Sequence, residues 1–218
     1  IEQRRYFHAH PELSFEEKNT TQAIGKRLEE MGLTPHFYPD YNGLWAMIEG
    51  GKSTPDSKTV ALRADIDALP IEEHTALPFC SQNPGVMHAC GHDNHMTGLL
   101  GAAMLLCERR EEIAGTVKLI FQPAEEMSPV GGSRGMLHSG YMDDVEAVFG
   151  LHVWPDLPHG KIGVKAGPLM AATDHFTINI HGKTAHGAKP NQGIDAVVLG
   201  SQFVICLLYT SPSPRDTR

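Results

Sequence analysis

The sequence has no uninterrupted apolar run of membrane length, so neither a spanning helix nor a membrane partner is expected. It has no basic run, and its formal charge is −8, which argues against a nucleic-acid partner. Its four cysteines, Cys80, Cys90, Cys107 and Cys206, show no paired spacing. A disulfide framework is therefore not indicated, and a reducing, cytoplasmic compartment is expected. No internal repeat and no signal-peptide pattern is visible, although the first residue is Ile1 rather than methionine, which leaves the upstream sequence open. Gly50-Gly51-Lys52-Ser53 reads as a turn, because the first glycine required of a phosphate loop is not at its place. What is present is an ordinary mixture: 218 residues, 41% hydrophobic and 20% charged. That suits a soluble globular domain, or one domain with part of another.

The chemistry is concentrated in His88-Ala-Cys-Gly-His-Asp-Asn-His95, with three histidines, a cysteine and an aspartate in eight residues. These are ligand types for a borderline-soft divalent cation, and a turn could aim Cys90 and His92 at one ion. A polar helix cap with scattered histidines is the plainer alternative. Met96, Leu99, Leu100, Ala103, Leu106 and Cys107 follow at steps of three and four, which predicts a helix with one buried face.

Around this stretch the pattern predicts alternating helices and strands. Ser14 and Glu17 have capping-box spacing, ahead of a helix that buries Ile24, Leu28 and Met31 and stops at Gly32. His8 and His10 precede it, as metal ligands or as surface and capping groups. Strands are expected at Leu44 to Ile48, Thr59 to Asp67, Val117 to Gln122 and Val145 to Val153. Residues 68–87 form a proline-containing loop, and Gly131 to Gly135 a flexible loop, a plain turn or a phosphate cradle. Three strand ends thus carry Asp65 and Asp67, then Glu125 and Glu126, then His152, at the edge where open α/β sheets bind ligands. Past a boundary near Ala166, alternation at Phe176, Ile178 and Ile180 predicts a strand with one wet face. A turn through His186 follows, then a helix capped by Asp195. Tyr209 to Arg218 is polar and proline-punctuated, and residues 206–218 are expected to be a non-native or disordered tail.

Six segments in order, His8-Ala-His-Pro-Glu12, Leu62-Arg-Ala-Asp-Ile-Asp-Ala-Leu-Pro70, His88-Ala-Cys-Gly-His-Asp93, Gln122-Pro-Ala-Glu-Glu126, Gly150-Leu-His-Val-Trp-Pro155 and Gly182-Lys-Thr-Ala-His186, carry a resemblance from about residue 4 to about residue 205. The sequence is similar to the aminoacylase/carboxypeptidase family of dinuclear metallohydrolases. Within it, the branch of hippurate hydrolase, N-acetyldiaminopimelate deacetylase and indole-acetyl-amino-acid hydrolase is the nearest in pattern. The resemblance implies an α/β fold: a three-layer α/β/α catalytic domain, incomplete here, over residues 1–165, and the start of an inserted αβ lid and dimerisation domain over 166–205. It implies two divalent metal ions, zinc or manganese, held by Cys90, His92, Glu126 and His152, with the Cys90 thiolate between them. Glu125 would be the general base, Asp67 the carboxylate that orients a ligand, and His186 a group reaching the scissile carbonyl, possibly across a homodimer. Related branches carry histidine where Asp65 stands, so Asp65 is not counted as a ligand, and Asn94 replaces a common glycine. The family supplies one further histidine ligand after the lid, so the chain resembles the N-terminal part of an enzyme and is expected to be inactive alone.

The implied activity is hydrolysis of the amide bond of a small N-acyl amino acid or peptide. Such chemistry at neutral pH needs an activated water and a stabilised oxyanion, which divalent cations and a carboxylate base supply. A metallo-carboxypeptidase or dipeptidase, and a non-catalytic metal-binding protein on the same scaffold, are the alternatives. A binding-only protein would not need Glu125 and Asp67 beside the ligands. A thiol enzyme using Cys90 would need a separate base and orienting group.

Overall fold

The computed structural model describes residues 1–172 and 175–210. The chain divides into two compact units, Ile1–Gly163 and Val164–Arg218. In the first, helix α1 (Glu2–Ala9) is followed by α2 (Lys18–Glu30), strands β1 (His36–Phe37), β2 (Leu44–Glu49) and β3 (Thr59–Asp65), α3 (His92–Glu108), β4 (Thr116–Gln122), α4 (Gly132–His138) and β5 (Val145–Gly150). The five strands form one mixed sheet in the order β1-β2-β4-β3-β5. β1, β2 and β4 pair antiparallel, while β4, β3 and β5 run parallel.

Period-two alternation in β4 explains the layers. Val117, Leu119 and Phe121 join Leu44, Ala46 and Ile48 of β2 and Ile24, Leu28, Met96, Leu99 and Leu100 of α2 and α3 in the main core. Ile120 points to the other face, where Ala61, Tyr38 and Met136 of α4 make a smaller cluster. Helices thus cover both faces of the sheet, the α/β/α arrangement expected. The parallel register sets Asp65 beside Gln122 and Arg63 beside Gly150, so the segments leaving β3, β4 and β5 emerge at one edge.

Several local expectations are corrected. Ser14 and Glu17 do not form a capping box. The Glu12 carboxylate accepts the N–H groups of Asn19 and Thr20 in the first turn of α2, at 3.1 and 2.8 Å. Ser14 instead donates its hydroxyl to Asp67. Local spacing cannot tell a cap from a residue recruited by a distant acceptor. Gly131 to Gly135 is not a loop throughout: α4 starts at Gly132, because Met136 has an aromatic cluster to bury against. β3 ends at Asp65 rather than Asp67, and β5 at Gly150 rather than Val153. α1 was not foreseen.

In the second unit, Lys183 and Ile194 form an isolated bridge, and α5 spans Ala196–Thr210. Asp195 caps α5 as expected, its carboxylate accepting the N–H groups of Val197 and Val198 at 2.9 and 3.1 Å. The strand predicted at Phe176 to Ile180 is not formed among the described residues. Alternation assigns faces, but a strand also needs a neighbour to receive its backbone hydrogen bonds, and none pairs with it there. The expected tail is corrected in part: Cys206 to Thr210 continue α5, whose local backbone bonds need no tertiary partner. Residues 211–218 lie outside the described residues.

Phe121 is fully buried at the centre of the sheet, while Leu105 on α3 is 64% exposed. Phe121→Ala is expected to cost about 3–5 kcal/mol of stability. Leu105→Ala should stay within about 0.5 kcal/mol. Equilibrium urea unfolding of the two variants measures both, and near-equal costs would contradict this assignment of the core.

Candidate metal centre

Each chemical group is delivered by a short piece of backbone at the shared edge of the parallel strands. Asp67 follows β3 by two residues. Gly91 stands before α3 in the left-handed region, at φ +91°, where a Cβ would come within 2.4 Å of the Val153 side chain. Glycine there lets Cys90 and His92 approach the end of β5. Beyond β4, Pro123-Ala124 turns the chain so that Glu125 and Glu126 face α3. Beyond β5 comes His152.

The hydrogen bonds decide which atoms are left over. His92 Nδ1 lies 2.8 Å from the Asp67 carbonyl oxygen and 3.2 Å from its carboxylate, so Nδ1–H donates there and Nε2 carries the lone pair. That Nε2 is buried and has no hydrogen-bond partner, and neither has the buried Oε1 of Glu126, 3.7 Å away. Glu125 Oε2 is 3.8 Å from the same nitrogen. His152 Nδ1 pairs with the Val153 carbonyl oxygen at 2.6 Å, which turns Nε2 toward Cys90 Sγ at 3.3 Å. Two sets of donor atoms, Cys90-His92-His152 and His92-Glu125-Glu126, each gather within 4.8 Å and share His92. Donors spaced in this way, with the other ring nitrogen of His92 and of His152 held by the protein, match ligands about 2.0–2.3 Å from a common divalent cation. The donor set therefore fits the two ions that the sequence pattern implies.

A third cluster, Asp65-His92-His95, meets the same distance criterion but is already spent. His95 donates Nδ1–H to Asp65 at 2.6 Å and accepts the Val153 N–H on Nε2 at 2.9 Å. No lone pair remains on His95 for an ion. The pair orients the backbone beside His152 instead, a role for His95 that residue type alone did not reveal. His8, read as a ligand or a surface group, is neither: it is buried between Asp93 and Glu73, at 2.8 and 3.2 Å. His10 is exposed and bonds the Tyr6 carbonyl oxygen of its own helix.

Electrostatics point the same way. Burial pushes the Cys90 thiol up to about 12, and the Glu126 carboxylate adds to it. Burial also raises Glu125, with Asp65 and Glu126 adding like-charge repulsion. For His92 burial disfavours the charged ring, but the Asp67 hydrogen bond and the carboxylates around it outweigh this and raise its pKa. Burial would raise Asp67 too, yet donors from His92, Ser14 and the Glu126 N–H hold it below the usual range. Such a surplus of negative charge is relieved by cations.

Cys90, His92, Glu125, Glu126, His152 and Asp67 are thus brought together within the first unit. His186 lies in the second unit, exposed, its Nδ1 accepting the Ala188 N–H at 3.2 Å. With Nδ1 accepting, the ring proton is on Nε2, which has no hydrogen-bond partner among the described residues. Ser14, His95 and Glu17 also hold this region, whereas spacing alone gives Ser14 and Glu17 as a helix cap and His95 as one more ligand-type histidine.

A thiol at about 12 is protonated at neutral pH, so a cation must displace its proton. Apparent zinc affinity is expected to rise by up to about tenfold per pH unit between pH 6 and 8 for that proton. In Cys90→Ser the slope should be shallower and the affinity lower by at least about tenfold. Competition titrations against a chelator at several pH values check this, and identical slopes would remove Cys90 from the ligand set.

The chain is similar to known proteins over most of its length. It is 49% identical over 205 residues to the N-acetylcysteine deacetylase of Bacillus subtilis, covering 94% of this chain and 53% of the relative. It is 47% identical over 206 residues to the N-acyl-L-amino acid amidohydrolase of Geobacillus stearothermophilus, covering 94% and 55%. The solved structure of the YXEP protein of Bacillus subtilis, described as a dinuclear metal-binding peptidase of the M20 family, superposes with a TM-score of 0.73 at 51% identity. It covers 78% of this chain and 46% of that one. The chain therefore spans about half the length of the curated relatives it matches. The profile of peptidase family M20/M25/M40 matches residues 61–204, which contain all six of the gathered side chains, and the chain belongs to that family.

Proposed function

We propose that the protein to which this chain belongs is a metal-dependent amidohydrolase that cleaves N-acyl amino acids, releasing the acyl group as a carboxylate. One observation carries the reading: Glu125. It is 41% exposed at the side chain, stands 3.8 Å from the unpartnered Nε2 of His92, and its carboxylate makes no hydrogen bond with the described residues. A purely structural ion site would use Glu126 and leave no second carboxylate free beside it.

Cys90, His92, Glu126 and His152 would hold the cations, zinc or manganese. Bound there, the ions lower the pKa of a water and polarise the scissile carbonyl. Glu125 accepts the proton of the attacking water and passes it to the leaving nitrogen. Burial and its carboxylate neighbours raise its pKa, which brings it toward the working pH of such a base. Asp67 fixes the His92 tautomer from behind. His186 would offer an N–H to the developing oxyanion, from its own chain or from the partner subunit of a homodimer, with residues 166–205 as the start of the lid and dimerisation domain. The names of the relatives, an N-acyl-L-amino acid amidohydrolase and an N-acetylcysteine deacetylase, favour an N-acyl amino acid over a longer peptide. Cys80, Cys90 and Cys107 form no disulfide among the described residues, and the proposed compartment is a reducing cytoplasm.

The Cys90–His152 distance of 3.3 Å also resembles a thiol–imidazole dyad. An activated cysteine has a lowered pKa, and Cys90 is shifted the other way, up to about 12. A metal-bound role fits this environment and a nucleophilic one does not.

In the full-length protein, Glu125→Gln should retain its metal and lose at least about 10²-fold in kcat on N-acetyl amino acids. Chelation should abolish turnover of the wild type, and zinc or manganese should restore it. Steady-state kinetics with metal analysis of the same samples read both. Near-normal turnover in Glu125→Gln, or full activity in the chelated enzyme, would overturn the reading.

A further inference from the structure

The turn that presents Glu125 and Glu126 is strained. Ala124 has φ +49°, in the left-handed region, where a residue with a Cβ sits at a cost, and its side chain is fully buried. Such a conformation persists only where surrounding contacts over-determine it. Three contacts do so here. The Ala124 carbonyl accepts the Gly132 N–H at 3.2 Å. The Glu126 N–H is held by Asp67 at 2.9 Å. The Ala124 N–H donates to Glu17 Oε1 at 2.7 Å, across 107 residues of sequence.

Glu17 is an unusual group to find there. It precedes α2 and is wholly buried. It is not needed as that helix's cap, because Glu12 already takes the first-turn N–H groups. Its second oxygen accepts Asn42 Nδ2 at 3.3 Å. Burial is costly for a carboxylate and raises the pKa of this one. A buried acid turned away from its own helix and bonded to the left-handed residue of the Glu125–Glu126 turn has a geometric task.

We propose that Glu17 is a positioning residue: by anchoring the Ala124 N–H it locks the Pro123–Ala124 turn and thereby fixes where Glu125 and Glu126 stand. The proposal rests on the reading of Glu125 as the base. Ser14 and Glu17 then act as one clamp from the segment before α2. Ser14 reaches Asp67, which holds Glu126, and Glu17 holds Ala124. Without the anchor the turn relaxes toward an ordinary backbone conformation, and the base leaves its near-attack position.

The test uses the full-length protein. Glu17→Met keeps the volume but removes the acceptor, whereas Glu17→Gln keeps an oxygen for the Ala124 N–H. Misplacement of a reacting group by about 1 Å costs on the order of 10²-fold, so Glu17→Met should lower kcat by about 10–100-fold. KM should stay within about threefold and metal content should be unchanged, the pattern of an interaction lost in the transition state. Glu17→Gln should rescue kcat to within about threefold of wild type. If Glu17→Met does not fold, Glu17→Asp, one methylene too short to reach, should show the same loss. Wild-type kcat in Glu17→Met or Glu17→Asp, or an equal loss in Glu17→Gln, overturns the proposal. Glu125→Gln is measured in parallel. If it is inactive while Glu17→Met is fully active, this proposal fails alone; if it is active, the reading of the base fails and takes this proposal with it.

Discussion

Asp67 is the carboxylate on which the rest of the site hangs. It is buried, and its oxygens take the hydroxyl of Ser14, the imidazole N–H of His92 and the backbone N–H of Glu126, from segments 53, 25 and 59 residues away. Burial alone would favour its protonated form, in which it could no longer accept all three. The donors keep it charged, and in charged form it ties the segment before α2, the start of α3 and the turn after β4 together. Hydrogen bonds to a buried charge are stronger than neutral ones, so one residue can set three backbone positions.

That arrangement concentrates negative charge. Asp65, Asp67, Glu125 and Glu126 surround His92, and Arg63 is the cation paired with Asp65, at 2.7 Å. The orphaned His92 Nε2 and Glu126 Oε1 cost free energy as long as nothing satisfies them. A divalent ion would remove both penalties together and would also offset the repulsion that raises Glu125. The proposed metal affinity and the raised pKa of Glu125 therefore share one origin, carboxylates crowded around the buried His92.

Much of this was legible in residue order. The four longer strands were readable from apolar runs; β4 is buried on both faces and must be apolar almost throughout, whereas β5 is apolar yet largely exposed. The placement of Asp67, Glu125, Glu126 and His152 just beyond strand ends followed from the same runs, and Cys90 and His92 stood out by ligand type. Less legible were elements whose cause is elsewhere in the chain. α4 depends on the aromatic cluster that receives Met136. The alternation at Phe176 to Ile180 looked like a strand, yet no neighbour pairs with it among the described residues. α5 continues through Cys206, where only composition had argued for a tail.

Residue type and spacing by themselves determined the succession of helices and strands and the metal-type and acid side chains just beyond the strand ends, because these depend on composition and on local periodicity. The three-layer fold, the ligand set and the base were what the family resemblance implied. Tertiary structure alone decided which nitrogen of each histidine is free. His95 looks as good a ligand as His92 in sequence, but its two nitrogens are committed to Asp65 and Val153, while His92 keeps one unpartnered. It likewise decided that Ser14 and Glu17 serve the site and not a helix cap. A side chain's chemistry is fixed by its covalent structure, but its remaining capacity to bind is what its neighbours leave unused, and those neighbours arrive from distant parts of the chain only on folding.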